Sequence, residues 1–390
     1  MIEFDEAYKI VIDAVGVLGK EIIMLENSPG RILAEDLISD MPMPPFDKAA
    51  VDGYACRMED LAGELKVIEI IKAGVEPKLE VTSGNCSKVM TGGVVPKGAD
   101  IVIMVEHTKL MAEKRVKFIE EKSNTNICYL GEDVSKGQTV LHRGTLIRPQ
   151  EIAVMASVGC VEVPVFKQAI VGVISTGDEL VEPNITPEAS QIRNSNASQL
   201  MAQVSECGAK PQYFGIAKDT EISTREIITN ALANSDVVLL TGGVSMGDFD
   251  YVPKVLNDLG IEIQFKSIAV QPGRPTVFGL KDGKYLFGLP GNPVSSFVQF
   301  ELLVKPMLYA LMGHRLNSPI LTLPMGEVFA RRKTKRKSFI PVQIKSGKVH
   351  AVEYHGSAHI HSYIFADGMI AVEKGIAKLE KGEMVDVRPI

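Results

Sequence analysis

The sequence predicts a multi-domain protein of α/β plus β class, centred on a doubly wound, mostly parallel α/β domain, and three observations carry that prediction. Between about residues 168 and 313, short apolar strands alternate with helical patterns, the alternation of a parallel sheet covered on both faces. Three of those strands run into glycine- or proline-rich loops that open helices, in segments 171–180, 237–251 and 285–297. In a parallel sheet all three loops lie at the carboxyl ends of the strands, where such folds bind ligands. On either side of this stretch the pattern changes to short β-like runs broken by Gly, Pro and Asn.

Taken in order, residues 4–18 place Phe4, Ala7, Tyr8, Val11, Ile12, Val15 and Leu18 at the spacing of an amphipathic helix. Ser28-Pro-Gly30 leads to a second helix or turn, and Met41-Pro-Met-Pro-Pro45 forces an extended path. Runs at 65–71, 88–91, 101–105 and 116–119 read as strands of a β-rich module spanning about 52–140. A helix at 150–157 and a strand at 161–165 complete an N-terminal region, 1–167. The α/β domain, 168–313, has strands at 169–174, 237–240 and 285–289 and helices at 196–207, 223–233 and 252–259. Asn194-Ser195 supplies cap chemistry for the first of these helices, and Gly208 stops it. Asp282-Gly283 is a hairpin turn. Residues 314–390 form a small β-barrel or sandwich with turns at Ser346-Gly347 and Lys381-Gly382.

Composition narrows the function classes. The chain is 45% hydrophobic and 23% charged with a formal net charge of −6, so no overall positive field argues for nucleic acid. No apolar run approaches the roughly 20 residues of a membrane span. The acidic N-terminus lacks the start of a secretory signal, and the reading is a cytoplasmic protein. Five scattered cysteines, Cys56, Cys86, Cys128, Cys160 and Cys207, offer neither a disulfide framework nor a zinc spacing.

Bare N–H groups at glycines and helix starts favour anions. The candidates are Thr176 and Gly177, then Gly242, Gly243 and Ser245, and finally the turn Pro290, Gly291, Asn292, Pro293. Yet two of these loops also carry Asp178, Glu179, Asp248 and Asp250. Attraction for both signs of charge points to phosphate bridged by a divalent metal, with Mg²⁺ on Glu179 and Asp250, because Mg²⁺ takes one or two carboxylates plus phosphate and water. Asp and Ser at such loops also serve simply as helix caps. Arg274, in Gln271-Pro-Gly-Arg-Pro275, offers a planar fork for an oxyanion, or is simply a surface arginine flanked by prolines. The run 331–337 holds six cations in seven residues, read as either a solvated face or a docking patch. His355, His359 and His361 lack the neighbouring ligands of a metal site.

With these segments in hand, the chain resembles the MoeA-type molybdopterin molybdenumtransferases, bacterial relatives of the gephyrin E domain. The resemblance rests on Pro45-Phe-Asp-Lys-Ala-Ala-Val-Asp-Gly-Tyr-Ala55, Met90-Thr-Gly-Gly-Val-Val-Pro-Lys-Gly-Ala-Asp100, Gly131-Glu-Asp133, the three loops, and Gly356-Ser-Ala-His-Ile-His-Ser-Tyr363, in that order. It implies a homodimer that takes adenylylated molybdopterin, inserts molybdate and releases AMP with Mg²⁺. A molybdopterin adenylyltransferase is the partner it implies; nucleic acid and membrane are not. By motif position, Glu179 and Asp250 correspond to metal or phosphoanhydride residues, and Asp52 and Thr91 to residues of the dimer cleft. Asp219 matches a catalytic acid, while Arg274, Pro290, Pro293 and Ser362 fall where the family lines its pterin and molybdate pocket. Departures from the family pattern are Gln271 for a frequent lysine, Lys48 for an asparagine, Cys128-Tyr129-Leu130 without arginines, and Ser338 with Pro341. Alternatives are a non-catalytic molybdopterin carrier or regulator, and a tungstate-inserting relative.

Overall fold

The computed structural model describes residues 1–243, 251–317, 319–353 and 356–390. Its centre is a six-stranded sheet of β1 (Ile170–Thr176), β2 (Lys210–Ala217), β3 (Val237–Thr241), β4 (Glu262–Phe265), β5 (Val277–Lys281) and β6 (Lys284–Leu289), in the order 2-1-3-6-5-4. β2, β1, β3 and β6 are parallel; β5 pairs antiparallel with β6, and β4 pairs antiparallel with β5. The β5–β6 turn is Asp282-Gly283 with both φ positive, at 50° and 74°, the geometry that matches strand twist in a two-residue hairpin.

Period-2 alternation divides the sheet's two faces. Val237 and Leu239 of β3 enter one apolar core with helix Ser195–Glu206 and the apolar face of Pro293–Gln299. Val238 and Leu240 enter a second core with helices Glu221–Asn234 and Val252–Asp258. Each fully buried Val or Leu contributes about 1.5–3 kcal/mol, and a one-residue slip of β3 would exchange the two sets.

Two expectations require correction, and one open choice, helix or turn, resolves as a turn. The amphipathic helix ends at Asp13, not residue 18. Its buried Phe4, Ala7 and Val11 join the larger core of the α/β sheet, and the chain then breaks at Gly16, whose N–H donates to Tyr285 Oη at 2.8 Å. Ser28-Pro-Gly30 forms a turn after a short 3₁₀ segment, Leu25–Asn27, with Gly30 at φ 76°. The loop after β1 does not open a helix directly. Leu180–Val181 and Ile192–Arg193 first pair as a short parallel ladder, because Pro183 and Pro187 forbid helix there.

The β-rich N-terminal module is a six-stranded sheet in the order Ile101–Met104, Gly53–Cys56, Asn85–Val89, Glu64–Ile71, Arg115–Phe118, Thr108–Met111. The C-terminal strands form a sheet around Lys337–Lys345, crossed by a two-stranded ribbon whose Phe329 and Leu379 share its apolar core. That sheet recruits Val270–Gln271 from the central domain in parallel register, with Gln271 opposite Ser338. The helical segment Pro293–Leu311 is long and apolar enough to cross a membrane, contrary to the sequence expectation, but 78% of its apolar window is buried inside the protein. It is a core helix.

Candidate functional site

The carboxyl ends of β1, β3 and β6 converge on one cavity of about 490 Å³. Thr176, Gly177 and Glu179 line it from the first loop, Gly242 and Gly243 from the second, and Pro290, Gly291 and Asn292 from the third. Asp219 enters from the end of β2. Leu180, Ile192, Asn196, Thr241 and Pro275 also line it; Leu180, Thr241 and Pro275 belong to loops the sequence marks without being singled out there, whereas Ile192 and Asn196 lie outside those loops and enter only through the fold.

Glycine is required where the loops cross. Gly242 has φ 86°, and a Cβ there would stand 2.6 Å from the Thr176 carbonyl oxygen and 2.7 Å from its Oγ1. The Gly242 N–H donates to Leu289 O at 3.2 Å, so the second loop is pinned to β6. Gly177, at φ 143°, sits directly beneath the carboxylate of Glu179, which a Cβ would meet at 2.4 Å. Glu179 is thereby folded over the cavity floor. Asn196 donates to Gly291 O at 2.7 Å and ties the third loop to helix Ser195–Glu206.

A hydrogen-bonded chain holds the floor from below. Thr241 Oγ1 donates to Ser175 Oγ, Ser175 to Asn194 Oδ1, Asn194 Nδ2 to Tyr213 Oη, and Tyr213 to Glu182 Oε1, at 3.3, 3.0, 3.0 and 2.8 Å. Asn194 Oδ1 also accepts from Ala197 N and caps the helix. Burial and the neighbouring Glu182 push the Tyr213 phenol well above its ordinary range, so it remains a neutral donor.

The cavity edge is acidic. Asp178 and Asp219 each accept from the other's backbone N–H, and among the described residues no cationic side chain forms an ion pair with Asp178, Glu179 or Asp219. Among the described residues no three His, Cys, Asp or Glu side chains converge to hold a metal by themselves. A carboxylate with no cation among the described residues, folded over the floor of a cleft, nevertheless suits Mg²⁺, which keeps waters and takes its remaining ligands from phosphate. Asp250, the other candidate metal ligand, and Ser245, Asp248 and His355 lie outside the described residues.

Other candidates stand apart from the cavity lining. Pro293 begins helix Pro293–Gln299 just beyond it. Arg274 is exposed beside the lining residue Pro275, and its carbonyl accepts from Ile268 and Thr276, each at 3.0 Å. Ser362 Oγ donates to His359 O at 2.8 Å in a 3₁₀ segment of the C-terminal region. That region reaches the third loop through Asn292 Nδ2, which donates to Ser357 Oγ at 2.8 Å. Asp52 and Thr91 meet each other on the N-terminal module: Asp52 Oδ1 accepts from Thr91 N at 2.6 Å and from Thr91 Oγ1 at 2.9 Å. The backbone bond, then the hydroxyl bond, hold the Asp52 carboxyl below its usual range, with help from Lys88. Neither residue lines the cavity of its own chain.

Of the cations in 331–337, three are engaged in the fold. Arg331 donates to Ile376 O, Arg336 O, Ser338 Oγ and Glu373 O, Arg336 donates to Val270 O, and Lys337 pairs with Glu373.

Three family models tile the chain: MoeA N-terminal region (domain I and II) over residues 2–159, probable molybdopterin binding domain over 172–310, and MoeA C-terminal region (domain IV) over 328–390. A molybdopterin molybdenumtransferase of Staphylococcus epidermidis is 35% identical over 386 residues, covering 94% of this chain and 90% of that protein. One from Haemophilus influenzae is 33% identical over 378 residues, covering 95% and 93%. The crystal structure of the molybdopterin biosynthesis moeA protein from Pyrococcus horikoshii OT3 superposes over all of both chains with a TM-score of 0.86 at 32% identity.

Proposed function

Because this chain belongs to the MoeA family of molybdopterin molybdenumtransferases and serves molybdenum cofactor biosynthesis, we propose that the cavity between its three loops is where adenylylated molybdopterin is held while molybdate is inserted and AMP released. The observation that carries this reading is the Glu179 carboxylate, folded over Gly177 at the junction of the three loops, with no cationic partner among the described residues.

The loop backbones at Gly177, Gly242, Gly243 and Gly291 let a phosphoanhydride approach without a Cβ in the way. Glu179, with Asp250, would hold Mg²⁺ there. When bound, that ion offsets phosphate charge and polarises the phosphoanhydride for attack. Asp178 and Asp219, latched to each other, keep the first loop and the end of β2 in register so that Glu179 points at one place. Arg274, exposed beside the lining residue Pro275, would attract molybdate.

Asp52 and Thr91 form a prepared pair on a module whose site residues do not reach the cavity of the same chain. We assign them to the cavity of a second subunit in a homodimer. A molybdopterin adenylyltransferase, which would supply the adenylylated pterin, is the natural partner.

The test is AMP release from adenylylated molybdopterin with molybdate, scanned over Mg²⁺ concentration. A metal carboxylate is worth several kcal/mol of transition-state stabilisation, so Glu179→Gln lowers kcat by about 100-fold or more and raises the Mg²⁺ requirement. Wild-type turnover without Mg²⁺, or a Glu179→Gln enzyme as fast as wild type, overturns the reading.

A further inference from the structure

A second cleft, of about 590 Å³, lies away from the cavity, where residues 143–148 meet 313–317. Arg143, Arg148, His314 and Arg315 line it with Gly144 and Asn317, and no Asp or Glu is among its lining residues. Three guanidinium groups on one concave surface stand out in a chain of formal net charge −6. The motifs that carry the transferase reading do not include them.

The cations differ in availability. Arg148 is already engaged with Glu151, through Nη2 to Oε1 at 2.7 Å and Nε to Oε2 at 3.2 Å. Arg143 has its guanidinium carbon 5.1 Å from the centroid of the Phe166 ring. The Arg143 backbone N–H donates to Asp36 Oδ1 at 2.7 Å, and among the described residues its guanidinium forms no ion pair. Arg315 is exposed and, among the described residues, has no ion-pair partner. The two walls are joined by His314, whose Nδ1 lies 2.7 Å from Gly144 O. Because a carbonyl only accepts, Nδ1 carries the hydrogen. The approach is close, since a Cβ on Gly144 would be 3.0 Å from Gly313 O.

We propose that this cleft is a binding site for a free phosphate-bearing anion of about pyrophosphate size, separate from the transferase cavity. Planar forks on opposite walls match tetrahedral oxyanions. No aromatic side chain is among the lining residues, so the cleft offers no platform for a nucleobase and reads phosphate rather than a nucleic acid strand. Its walls belong to the end of the N-terminal region and to the connection between helix Lys305–Leu311 and strand Leu321–Pro324. An anion bound there bridges two parts of the chain otherwise joined at this point by the His314–Gly144 bond.

The experiment is calorimetric titration of the full-length protein with inorganic pyrophosphate, without Mg²⁺, together with hydrogen exchange to locate the protected segments. The proposal expects one pyrophosphate per chain, with protection at 141–148 and 313–317. Binding should weaken at least about tenfold in Arg315→Ala, as for removal of one charge-assisted partner, and further in Arg143→Glu/Arg315→Glu. Arg315→Ala is exposed and leaves the fold and the basal AMP release unchanged, so its loss of binding cannot come from misfolding. Absence of pyrophosphate binding by the wild-type protein overturns the proposal, as does wild-type affinity in both variants. Protection confined to 176–180 and 241–243, with binding sensitive to Glu179→Gln instead, assigns the anion to the transferase cavity and also overturns it.

Discussion

Asp178 and Asp219 hold each other's backbone: the Asp178 N–H donates to Asp219 Oδ2 at 3.3 Å, and the Asp219 N–H donates to Asp178 Oδ1 at 3.2 Å. Two like charges so placed are tolerable because each is offset by a peptide N–H, and the arrangement locks the β1 loop to the end of β2. Replacing Asp219 with Ala removes one exposed bond, worth about 1 kcal/mol at most, while freeing the segment that carries Glu179. The expected outcome is a small change in Tm with a loss of kcat of about tenfold or more, as for misplacement of a positioned group. Thermal melts and AMP-release kinetics on the same preparation check it; equal losses in both would show a purely structural role.

A methyl group at Gly242 tests the close approach of the second loop to the first. Its φ of 86° and the 2.6 Å approach to the Thr176 carbonyl leave Ala no unstrained position. Gly242→Ala should cost about 1–3 kcal/mol and weaken pterin binding. Gly283→Ala, also at positive φ but with open space around its Cβ, separates backbone strain from steric filling of the cavity. Urea unfolding and binding of molybdopterin by both variants give the comparison.

Asp52 provides a pH signature. Its folded carboxyl is held below the ordinary value of 3.8 by the two Thr91 bonds and Lys88. A depressed carboxylate contributes stability that is fully present above the unfolded pKa and is lost as pH falls through the folded one. The stability difference between wild type and Asp52→Asn should therefore be constant from pH 7 down to about 5 and shrink below 3.8. Denaturant midpoints at pH 7, 5 and 3 measure it. A difference that grew on acidification would contradict the assigned bonds.

Much of the central domain was legible because its signals are local. The Val237–Leu240 run alternates between two cores, Asp282-Gly283 demands a hairpin, and the three loops announce themselves through glycine and proline. The helix after β1 is legible too, predicted at 196–207 and observed at Ser195–Glu206; the ladder that precedes it, Leu180–Val181 with Ile192–Arg193, is a pairing that no short window displays. Asn194 caps its helix as the sequence predicts, but its bonds to Ser175 and Tyr213 depend on register between separate strands. For the same reason Ile192 and Asn196, outside the marked loops, carry no signal as cavity residues. Gln271 and Ser338, noted separately as departures from a family pattern, turn out to be register partners across 67 residues.

The cysteines should behave as core residues. Burial pushes the Cys56, Cys86 and Cys207 thiols up to about 12, so almost no thiolate exists at pH 8. Folded protein treated with a thiol-reactive dye at that pH should leave these three unlabelled, and denatured protein should label all five. Rapid modification of Cys56 in the native state would show that the N-terminal β module opens.

The basic run 331–337 separates into two functional halves once the fold is known. Arg331 lies partly buried and gives its donors to the carbonyls of Ile376, Arg336 and Glu373 and to Ser338 Oγ; burial lowers its pKa from the usual guanidinium value. Those bonds tie the Phe329–Ala330 ribbon to the C-terminal sheet, so removing the guanidinium leaves several acceptors unpaired. With charge-assisted bonds worth about 1.5–3 kcal/mol, Arg331→Ala should lower Tm by several degrees. Arg332, Lys333 and Lys335 form no ion pair among the described residues, and neutralising all three should leave Tm within a degree or two. If these three serve a partner, that triple variant loses the partner while keeping its fold and its transferase activity. Arg331→Ala would lose partner binding only in proportion to unfolding. Salt-dependent binding measured on both variants therefore distinguishes a docking face from a solvated one, a distinction that substitution of the whole run would blur.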